Sequence, residues 1–319
     1  MKTSYAIIAD KDSKSWDFVK RVYSILKLKD SNCELIPLSI ARFRDGEIKP
    51  ELSKTIRRKN CFFIHDSNKN PSDWFLELNI INYILKDNGA SEVIDILPYL
   101  RFARQDRKDM PRAPITAKIL ADSIQRYANM VVSLDIHNPA IQGFYDINFE
   151  NLHSFSVVVE YLKEKYSEIL DDLVIMSPDA GGAARAQKFA NVLGSSDVVM
   201  GYKSRDKPGE ISGLKVLGEV SGKNVMIVDD MIDSGGTMIA AANELRKQGA
   251  KLVYAYCTHG LFTKGTSELT DAFDKIFVAD TLEVASSDKI EVISFDKLFA
   301  EAIYRINEGV SLSELFVDK

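Results

Sequence analysis

Three aspartates and two glycines lie close together in the segment VMIVDDMIDSGGTM, which spans Val225–Met238. The carboxylates of Asp229, Asp230 and Asp233 repel one another unless a positive charge lies between them. The glycines after them remove side chains where the backbone must come close to another group. Paired acids suit ribose hydroxyls or a metal, and free backbone N–H groups suit a phosphate. The segment therefore predicts an anion-binding loop.

The flanking sequence indicates how this loop is held. Val225–Val228 has the composition of a buried strand and Thr237–Gln248 that of a helix. Asp229–Gly236 then links strand to helix, which is where ligands of α/β sheets bind. We expect a phosphate on the helix N-terminus, helped by the Ser234 hydroxyl. The alternative is a solvated turn capped by Asp233 or Ser234, which suits two adjacent acids after a buried strand poorly.

A second loop of the same design occurs in SPDAGGAARAQKFA, at Ser177–Ala190. Its strand ends near the acid Asp179, two glycines follow, and a helix begins. Arg185, in the first helical turn, is placed to meet an anion. If the two strands are neighbours, both loops converge on one edge of the sheet. Coincidental turn glycines are the alternative for either loop alone.

Two further segments carry groups suited to a nucleotide. SLDIHNPAIQGFYD contains Asp135 and His137, which share one face if the segment is a strand. Such a pair suits a hard cation and a phosphate oxygen, although a core or surface histidine is an equal alternative. RFARQDRKDMPR, at Arg101–Arg112, concentrates guanidinium groups after an apolar run. These groups suit phosphates and bases, whereas a solvated charged face is the simpler interpretation.

Two loops complete the set. GYKSRDKPGE, at Gly201–Glu210, reads as an exposed basic loop that either closes over a polyphosphate or is simply surface. RFRDGE, at Arg42–Glu47, predicts a turn and leaves Phe43 among polar residues.

Composition restricts the class of protein. The chain has 319 residues, 45% hydrophobic and 27% charged, which predicts a soluble globular protein with room for two domains. A net charge of -5 offers no basic excess for a nucleic acid. We expect no membrane partner, because apolar runs are short, and no signal peptide, because Asp10 interrupts the N-terminal one. Three widely spaced cysteines fit a reducing cytosol.

Short β-branched runs alternate with amphipathic stretches along the chain, which predicts βαβ units with mainly parallel sheets. The predicted strands are Tyr5–Ile8, Cys61–Ile64, Glu92–Leu97, Met130–Leu134, Leu173–Met176, Val225–Val228 and Leu252–Cys257. The predicted helices are Ala117–Tyr127, Ala183–Leu193 and Thr237–Gln248. Strands on both sides of residue 155 indicate two α/β domains.

Taken together, these segments resemble the ribose-phosphate pyrophosphokinase family, whose motifs they follow in order from about Phe43 to the C-terminus. VDDMIDSGGT alone is shared with type I phosphoribosyltransferases. FRDGEI, ARQDRK, the aspartate–histidine segment, SPDAGG and the Lys-x-Arg loop narrow the resemblance to the synthetase. LFAEAIYRI, at Leu298–Ile306, is similar to the family's tail.

The resemblance implies an α/β fold of two phosphoribosyltransferase-like domains, each a mainly parallel sheet flanked by helices. Residues 1–154 would carry the ATP-side motifs and residues 155–305 the ribose 5-phosphate loop, with a tail from about 306 to 319 packing on the first domain. It implies transfer of the β,γ-diphosphoryl group of ATP to ribose 5-phosphate with Mg²⁺ as cofactor. The expected enzyme is a cytoplasmic, dimer-based homo-oligomer such as a hexamer.

The resemblance also implies a role for each motif residue. Lys203 and Arg205 would be catalytic. Ribose 5-phosphate would bind Asp179, Asp229, Asp230, Asp233, Ser234, Gly235, Gly236 and Thr237. ATP would bind Arg104, Gln105, Asp106 and His137, with Phe43, Asp45 and Glu47 reaching the adenine from a neighbouring subunit. The metal would bind Asp135, His137, Asp146 and Asp179, and Glu150 stands where the family has a further Asp.

Three alternatives differ in class: a catalytically silent regulatory subunit, a type I phosphoribosyltransferase and a non-enzymatic nucleotide-binding module. The presence of Lys203, Arg205, Asp135 and His137 argues against the silent subunit. A second domain with an ATP-type segment argues against the transferase, and paired acids in separate loops argue against the binding module.

Overall fold

The computed structural model describes residues 4–195, 198–204, 213–285 and 287–315. The chain divides into two compact units, of which the first joins the described part of Met1–His153 to Asp296–Leu315. The second comprises the described part of Ser154–Phe295. The C-terminal segment Asp296–Leu315 therefore groups with the first unit, starting about ten residues before the expected start of the tail.

Each unit contains one sheet of seven strands, and the two sheets have the same order when the strands are numbered within each unit. The first sheet has the order β3-β2-β1-β4-β5-β6-β7 and the second β10-β9-β8-β11-β12-β13-β14. The strands are β1 Tyr5–Asp10, β2 Cys33–Arg42, β3 Ile48–Leu52, β4 Asn60–Ile64, β5 Glu92–Leu97, β6 Met130–Leu134, β7 Asn148–Leu152, β8 Leu173–Ser177, β9 Val198–Ser204, β10 Gly213–Leu217, β11 Asn224–Ile232, β12 Leu252–Gly260, β13 Lys275–Ala279 and β14 Ile290–Ile293.

All neighbouring strands pair in parallel except β2 with β3 and β9 with β10. Strands β1 and β8 are buried at every position, as expected where helices cover both faces of a parallel sheet. The helices are α1 Trp16–Lys29, α2 Pro71–Asp87, α3 Thr116–Ile124, α4 Phe155–Lys165, α5 Ala183–Leu193, α6 Gly236–Lys247, α7 Ser267–Ala272 and α8 Asp296–Glu308. The predicted fold class is confirmed.

Apolar helix faces form the core on both sides of the first sheet. On one side, Trp74, Leu78 and Ile81 of α2 are fully buried with residues of β1, β4 and β5. On the other, Phe18 of α1 meets Phe299 of α8 edge to face at 5.6 Å, which joins the C-terminal helix to this unit. None of the helices in the described residues is long and apolar enough to cross a membrane.

Three element boundaries differ from prediction, and the first two matter for the site. The strand predicted to end at Val228 continues to Ile232, because β11 stays paired with β12 as far as the Ile232–Gly260 partners. The predicted loop Gly201–Glu210 begins instead as strand, since its residues up to Ser204 pair with β10. The predicted helix Ala117–Tyr127 ends at Ile124.

Candidate active site

The two adjacent acids of the second unit lie within β11, not in the loop after it. Asp230 is buried, with 3% of its side chain exposed, and Asp229 is 26% exposed. Arg185, from the first turn of α5, places one guanidinium nitrogen 3.0 Å from Asp229 Oδ1 and 3.1 Å from Asp230 Oδ1. The positive charge that the sequence requires between these acids therefore comes from within the chain, and the anions that Arg185 contacts are these two carboxylates.

Burial shifts the protonation of Asp229. Burial first, and then the neighbouring Asp230 carboxylate, together raise the pKa of Asp229 to about 7, while Arg185 opposes the shift. The Asp230 backbone N–H also donates to Asp229 Oδ1 at 2.9 Å. A carboxyl in this state accepts a proton readily near neutral pH, and a bound cation or hydroxyl donors would favour its ionised form.

The turn after β11 leaves a helix N-terminus open. Gly235 is the residue before α6 and has a φ of +80°, a conformation that residues with a Cβ rarely adopt. A Cβ there would also lie 2.9 Å from the Leu269 side chain. Ser234 and Gly236 are exposed, and Gly235 has no side chain with which to cap the helix. The first N–H groups of α6 are thus available to an anion.

A threonine braces the same turn. Thr263 donates its hydroxyl to Asp233 Oδ1 at 2.7 Å, and its backbone N–H donates to the Asp233 carbonyl at 3.0 Å. Asp233 therefore tethers the turn to the segment after β12, rather than capping α6. Thr237, in the first turn of α6, is half-buried.

The second glycine loop meets the first at the same edge of the sheet. Strands β8 and β11 are parallel neighbours, and the contact of Arg185 with Asp229 joins α5, the helix after β8, to β11 itself. Asp179 Oδ1 accepts from the N–H groups of Gly181 at 3.0 Å and Gly182 at 3.3 Å. Its carboxylate thus stabilises its own loop.

The Lys-x-Arg pair is only partly described. Lys203 lies in β9, where its backbone is the partner of Leu214 in β10. Arg205 lies outside the described residues.

In the first unit, the strand before Asp135 and His137 ends at Leu134, so neither residue belongs to it. β6 ends at Leu134, and Asp135 has a φ of +41°, so the alternation of a strand does not apply. Asp135 is buried and His137 exposed, which corrects the expectation that they share a face. Asp135 Oδ1 instead lies 3.4 Å from Nδ1 of His153, at the end of the neighbouring strand β7.

The arginine-rich segment and the aspartate–histidine segment are in contact. The Asn138 side-chain amide donates to Asp106 Oδ2, and the Asn138 side-chain oxygen accepts from Ala140 N at 3.0 Å. Gln105 accepts from Ala117 N at the start of α3 through its backbone carbonyl, and Arg104 is exposed. Asp106 and His137 thus belong to two segments held together by Asn138.

Phe43, Asp45 and Glu47 lie on the turn between β2 and β3 and are exposed. The turn closes on itself, because Phe43 N donates to the Glu47 carbonyl at 2.8 Å and Glu47 N to Asp45 Oδ1 at 3.1 Å. The Lys49 ammonium lies 5.6 Å from the Phe43 ring centre.

The predicted metal ligands do not form a ready-made cage. Among the described residues there is no group of three or more His, Cys, Asp or Glu side chains arranged to hold a metal ion. Asp146 interacts with Gln125, whose amide donates to it at 3.1 Å, and burial raises the pKa of Glu150 on β7. The residues fit Mg²⁺ only in its common enzymatic mode, in which one or two carboxylates and the substrate's phosphates bind it.

Three contacts of this region were absent from the sequence-based interpretation. They are the pairing of His153 with Asp135, the bridge from Asn138 to Asp106, and the brace from Thr263 to Asp233. Each joins residues 18 to 32 positions apart, calculated as 153 − 135, 138 − 106 and 263 − 233. Sequence spacing carries no signal for such pairs. Only Asn138 offered a signal, because it directly follows His137 in the sequence.

Comparison with known proteins gives consistent matches over both units. Residues 12–127 match a family described as the N-terminal domain of ribose phosphate pyrophosphokinase, and residues 177–317 match one described as a phosphoribosyl synthetase-associated domain. A ribose-phosphate pyrophosphokinase of Wolinella succinogenes is 42% identical over 289 residues, covering 88% of this chain and 92% of the relative. One from Chlorobaculum tepidum is 38% identical, covering 100% of this chain and 97% of the relative.

A solved structure agrees with these relatives. The crystal structure of phosphoribosylpyrophosphate synthetase from Mycobacterium smegmatis superposes with a TM-score of 0.86 and 28% identity, covering 96% of this chain and 99% of that one. Similarity of sequence and of fold thus extends over nearly the full length of both chains. The chain belongs to the ribose-phosphate pyrophosphokinase family.

Proposed function

We propose that the chain transfers the β,γ-diphosphoryl group of Mg-ATP to the 1-hydroxyl of ribose 5-phosphate, giving phosphoribosyl pyrophosphate and AMP. The hydroxyl oxygen forms a bond to the β-phosphorus and loses its proton. The bond from that phosphorus to the oxygen shared with the α-phosphate breaks, and this oxygen leaves with AMP. The observation that carries the proposal is the Arg185-bound acid pair directly before the open N-terminus of α6.

Ribose 5-phosphate is assigned to that acid pair and turn. The Asp229 and Asp230 carboxylates accept hydrogen bonds from the ribose hydroxyls, and Asp179 and Asp233 shape the surrounding loops. The phosphate lies against the backbone N–H groups of the turn and the helix start, which fits the preference of anions for helix N-termini. The residues of this phosphate cradle are Ser234, Gly235, Gly236 and Thr237.

ATP is assigned to Arg104, Gln105, Asp106 and His137. The bridge from Asn138 to Asp106 supports this assignment because it holds the two segments together. In a homo-oligomer, Phe43, Asp45 and Glu47 of a neighbouring subunit reach the adenine, and the exposure of that turn suits such a role. Mg²⁺ would be held by Asp135 and the phosphates, with Asp146 and Asp179 as further candidates, and it neutralises charge on the transferred group.

Lys203 and Arg205 are assigned to the transition state. Phosphoryl-type transfer depends on positioning and on cations placed where charge develops, with little covalent chemistry by the protein. A cation that acts only there changes kcat and kcat/KM together. Lys203→Ala should therefore lower both by roughly 10²-fold or more with little change in substrate affinity. Lys203→Arg should restore activity only in part, and a variant with raised KM and unchanged kcat would make this residue a binding group.

The decisive experiment is AMP formation from ATP by the full chain. The proposal requires that AMP appears only when ribose 5-phosphate and Mg²⁺ are both present, in equal amount with phosphoribosyl pyrophosphate. Binding of both substrates without turnover would identify a silent subunit. Consumption of phosphoribosyl pyrophosphate with a free base would identify a phosphoribosyltransferase, and either result would overturn the proposal.

A further inference from the structure

One arginine joins the Phe43–Glu47 turn to the body of the first unit. Arg42, the last residue of β2, donates from Nη1 to the Gly46 carbonyl in the turn at 3.0 Å. Its Nη2 lies 3.0 Å from Asp73 Oδ1 and 3.4 Å from Glu77 Oε1, both on α2. A planar guanidinium with several donors can hold these three groups in one arrangement. The Arg42 side chain therefore connects the turn to α2.

The acid behind Arg42 is held from its other side by a lysine. Glu77 has 3% of its side chain exposed, and its Oε2 lies 2.6 Å from Lys69 Nζ. The same ammonium lies 2.9 Å from Asp10 Oδ2, at the end of β1. A continuous row of alternating charges therefore runs through Asp10, Lys69, Glu77 and Arg42, which we name the ion-pair row. It runs from the C-terminal edge of the sheet to the turn.

The ion-pair row opposes movement of the Phe43–Glu47 turn. A buried carboxylate with a cation on each side is costly to leave unpaired, so Glu77 keeps both partners. Burial raises the pKa of Glu77, while Lys69 and Arg42 favour its charged form. Phe43, by contrast, is 52% exposed on the turn that the ion-pair row anchors. An exposed aromatic side chain on a short turn depends on such anchoring for a defined direction.

We propose that Arg42 is a positioning residue for nucleotide binding, because its bridge between Gly46 and Glu77 sets the direction in which Phe43 is presented to a purine ring. The inference rests on the proposed function, in which this turn contacts the adenine of ATP. Arg42 acts through the turn and touches neither the transferred phosphates nor the ribose.

The test compares Arg42→Ala, Arg42→Lys and Glu77→Gln with a control in the same turn. Arg42→Ala should raise the KM for ATP by about fivefold or more, while the KM for ribose 5-phosphate and kcat stay within about twofold. Arg42→Lys should recover part of the loss, because one ammonium cannot hold a carbonyl and two acids at once. Glu77→Gln should shift the KM for ATP in the same direction by less.

Hydrogen exchange supplies a readout that is independent of turnover. Amides 43–47 should exchange faster in Arg42→Ala than in the wild type, and Arg44→Ala, which removes a cation from the same turn, should leave exchange unchanged. Faster exchange with an unchanged KM for ATP would overturn the proposal. So would equal increases in the KM of both substrates, because they would indicate a general loss of structure. If the wild type forms no AMP, the proposed function fails, and ATP affinity from calorimetry then judges Arg42 by the same criterion.

Discussion

Strands β4 and β11 occupy the same position in two sheets of identical order, yet the segments after them differ in what they leave accessible. After β4, the buried His65 interacts with the Trp74 carbonyl at 2.9 Å through Nε2. Asp66 accepts from the backbone of Lys14 and Asn68. In this segment of the first unit, the polar groups are largely engaged by the chain itself.

The helix that follows is capped in the first unit and open in the second. Asn70 accepts from Ser72 N at 2.9 Å, and Pro71, which lacks an N–H, begins α2. After β11, Gly235 stands in the place of a capping side chain and α6 begins with exposed Gly236. The same topology therefore supports a loop with a capped helix start in one unit and a loop with an uncapped helix start in the other, as expected where function resides in loops.

The largest expected effect distinguishes two buried acids, Asp230 in β11 and Asp66 after β4. Asp230→Asn should lower kcat/KM for ribose 5-phosphate by roughly 10²-fold, because a charged acceptor at the ribose hydroxyls is lost. Asp66→Asn should leave the KM for ribose 5-phosphate unchanged and lower the melting temperature, since it removes an acceptor from backbone N–H groups. Steady-state kinetics and thermal unfolding of both variants test this contrast. Equal kinetic losses in both would remove the distinction between the loops.

The second effect concerns the acids directly after β6 and β13. Asp135→Asn should reduce turnover with Mg-ATP by about tenfold or more, if the Asp135 carboxylate helps to hold the cation. Asp280→Asn should cost about 1 kcal/mol of unfolding free energy without changing turnover, because Asp280 accepts from Phe295 N and the Ser294 hydroxyl. Denaturant titration and a Mg²⁺ dependence of the rate separate the two outcomes. Normal Mg²⁺ dependence in Asp135→Asn would contradict the metal assignment.

A smaller effect compares the two helix starts. Gly235→Ala places a Cβ at positive φ and 2.9 Å from Leu269, so the phosphate cradle must shift. We expect the KM for ribose 5-phosphate to rise several-fold, about 1 kcal/mol in binding. Asn70→Ala should instead cost about 1 kcal/mol of stability by removing the cap of α2, with the KM for ribose 5-phosphate unchanged. A Gly235→Ala enzyme with wild-type KM would show that the phosphate binds elsewhere.

The smallest net effect in the wild type is a pair of opposite pH dependences of stability, which largely offset each other. Asp229 has a pKa of about 7 in the folded chain against 3.8 ordinarily, so between these values the folded state binds more protons and stability falls as pH rises. His65 has a pKa lowered by burial to about 3 from 6.5, so the unfolded state binds more protons and stability rises with pH. Asp229→Asn should remove the decrease of the unfolding free energy with pH that Asp229 causes. His65→Gln should remove the increase that His65 causes. Unfolding free energies measured from pH 4 to pH 7, at intervals of about 0.5, would reveal a wrong sign in either variant.

The sequence predicted elements best where composition and periodicity agree. The predicted strands Glu92–Leu97 and Met130–Leu134 and the helix Ala183–Leu193 have the observed bounds. The strand predicted over Val225–Val228 was too short, because two acids look like the beginning of a loop. Pairing with β12 and the charge of Arg185 allow Asp229 and Asp230 to remain in the strand. A local sequence pattern contains no information on β12 or Arg185 as partners of these acids.

The sequence by itself determined the fold class and the position of each chemical motif along the chain. Alternating apolar runs and helical periods indicate parallel sheets, and acids followed by glycines predict a loop that approaches an anion. The tertiary structure alone decided which polar side chains lie in contact: Arg185 with Asp229 and Asp230, His153 with Asp135, and Arg42 with Glu77. These pairs join residues distant in sequence, and their partners are set by strand order and helix packing, which no local spacing encodes.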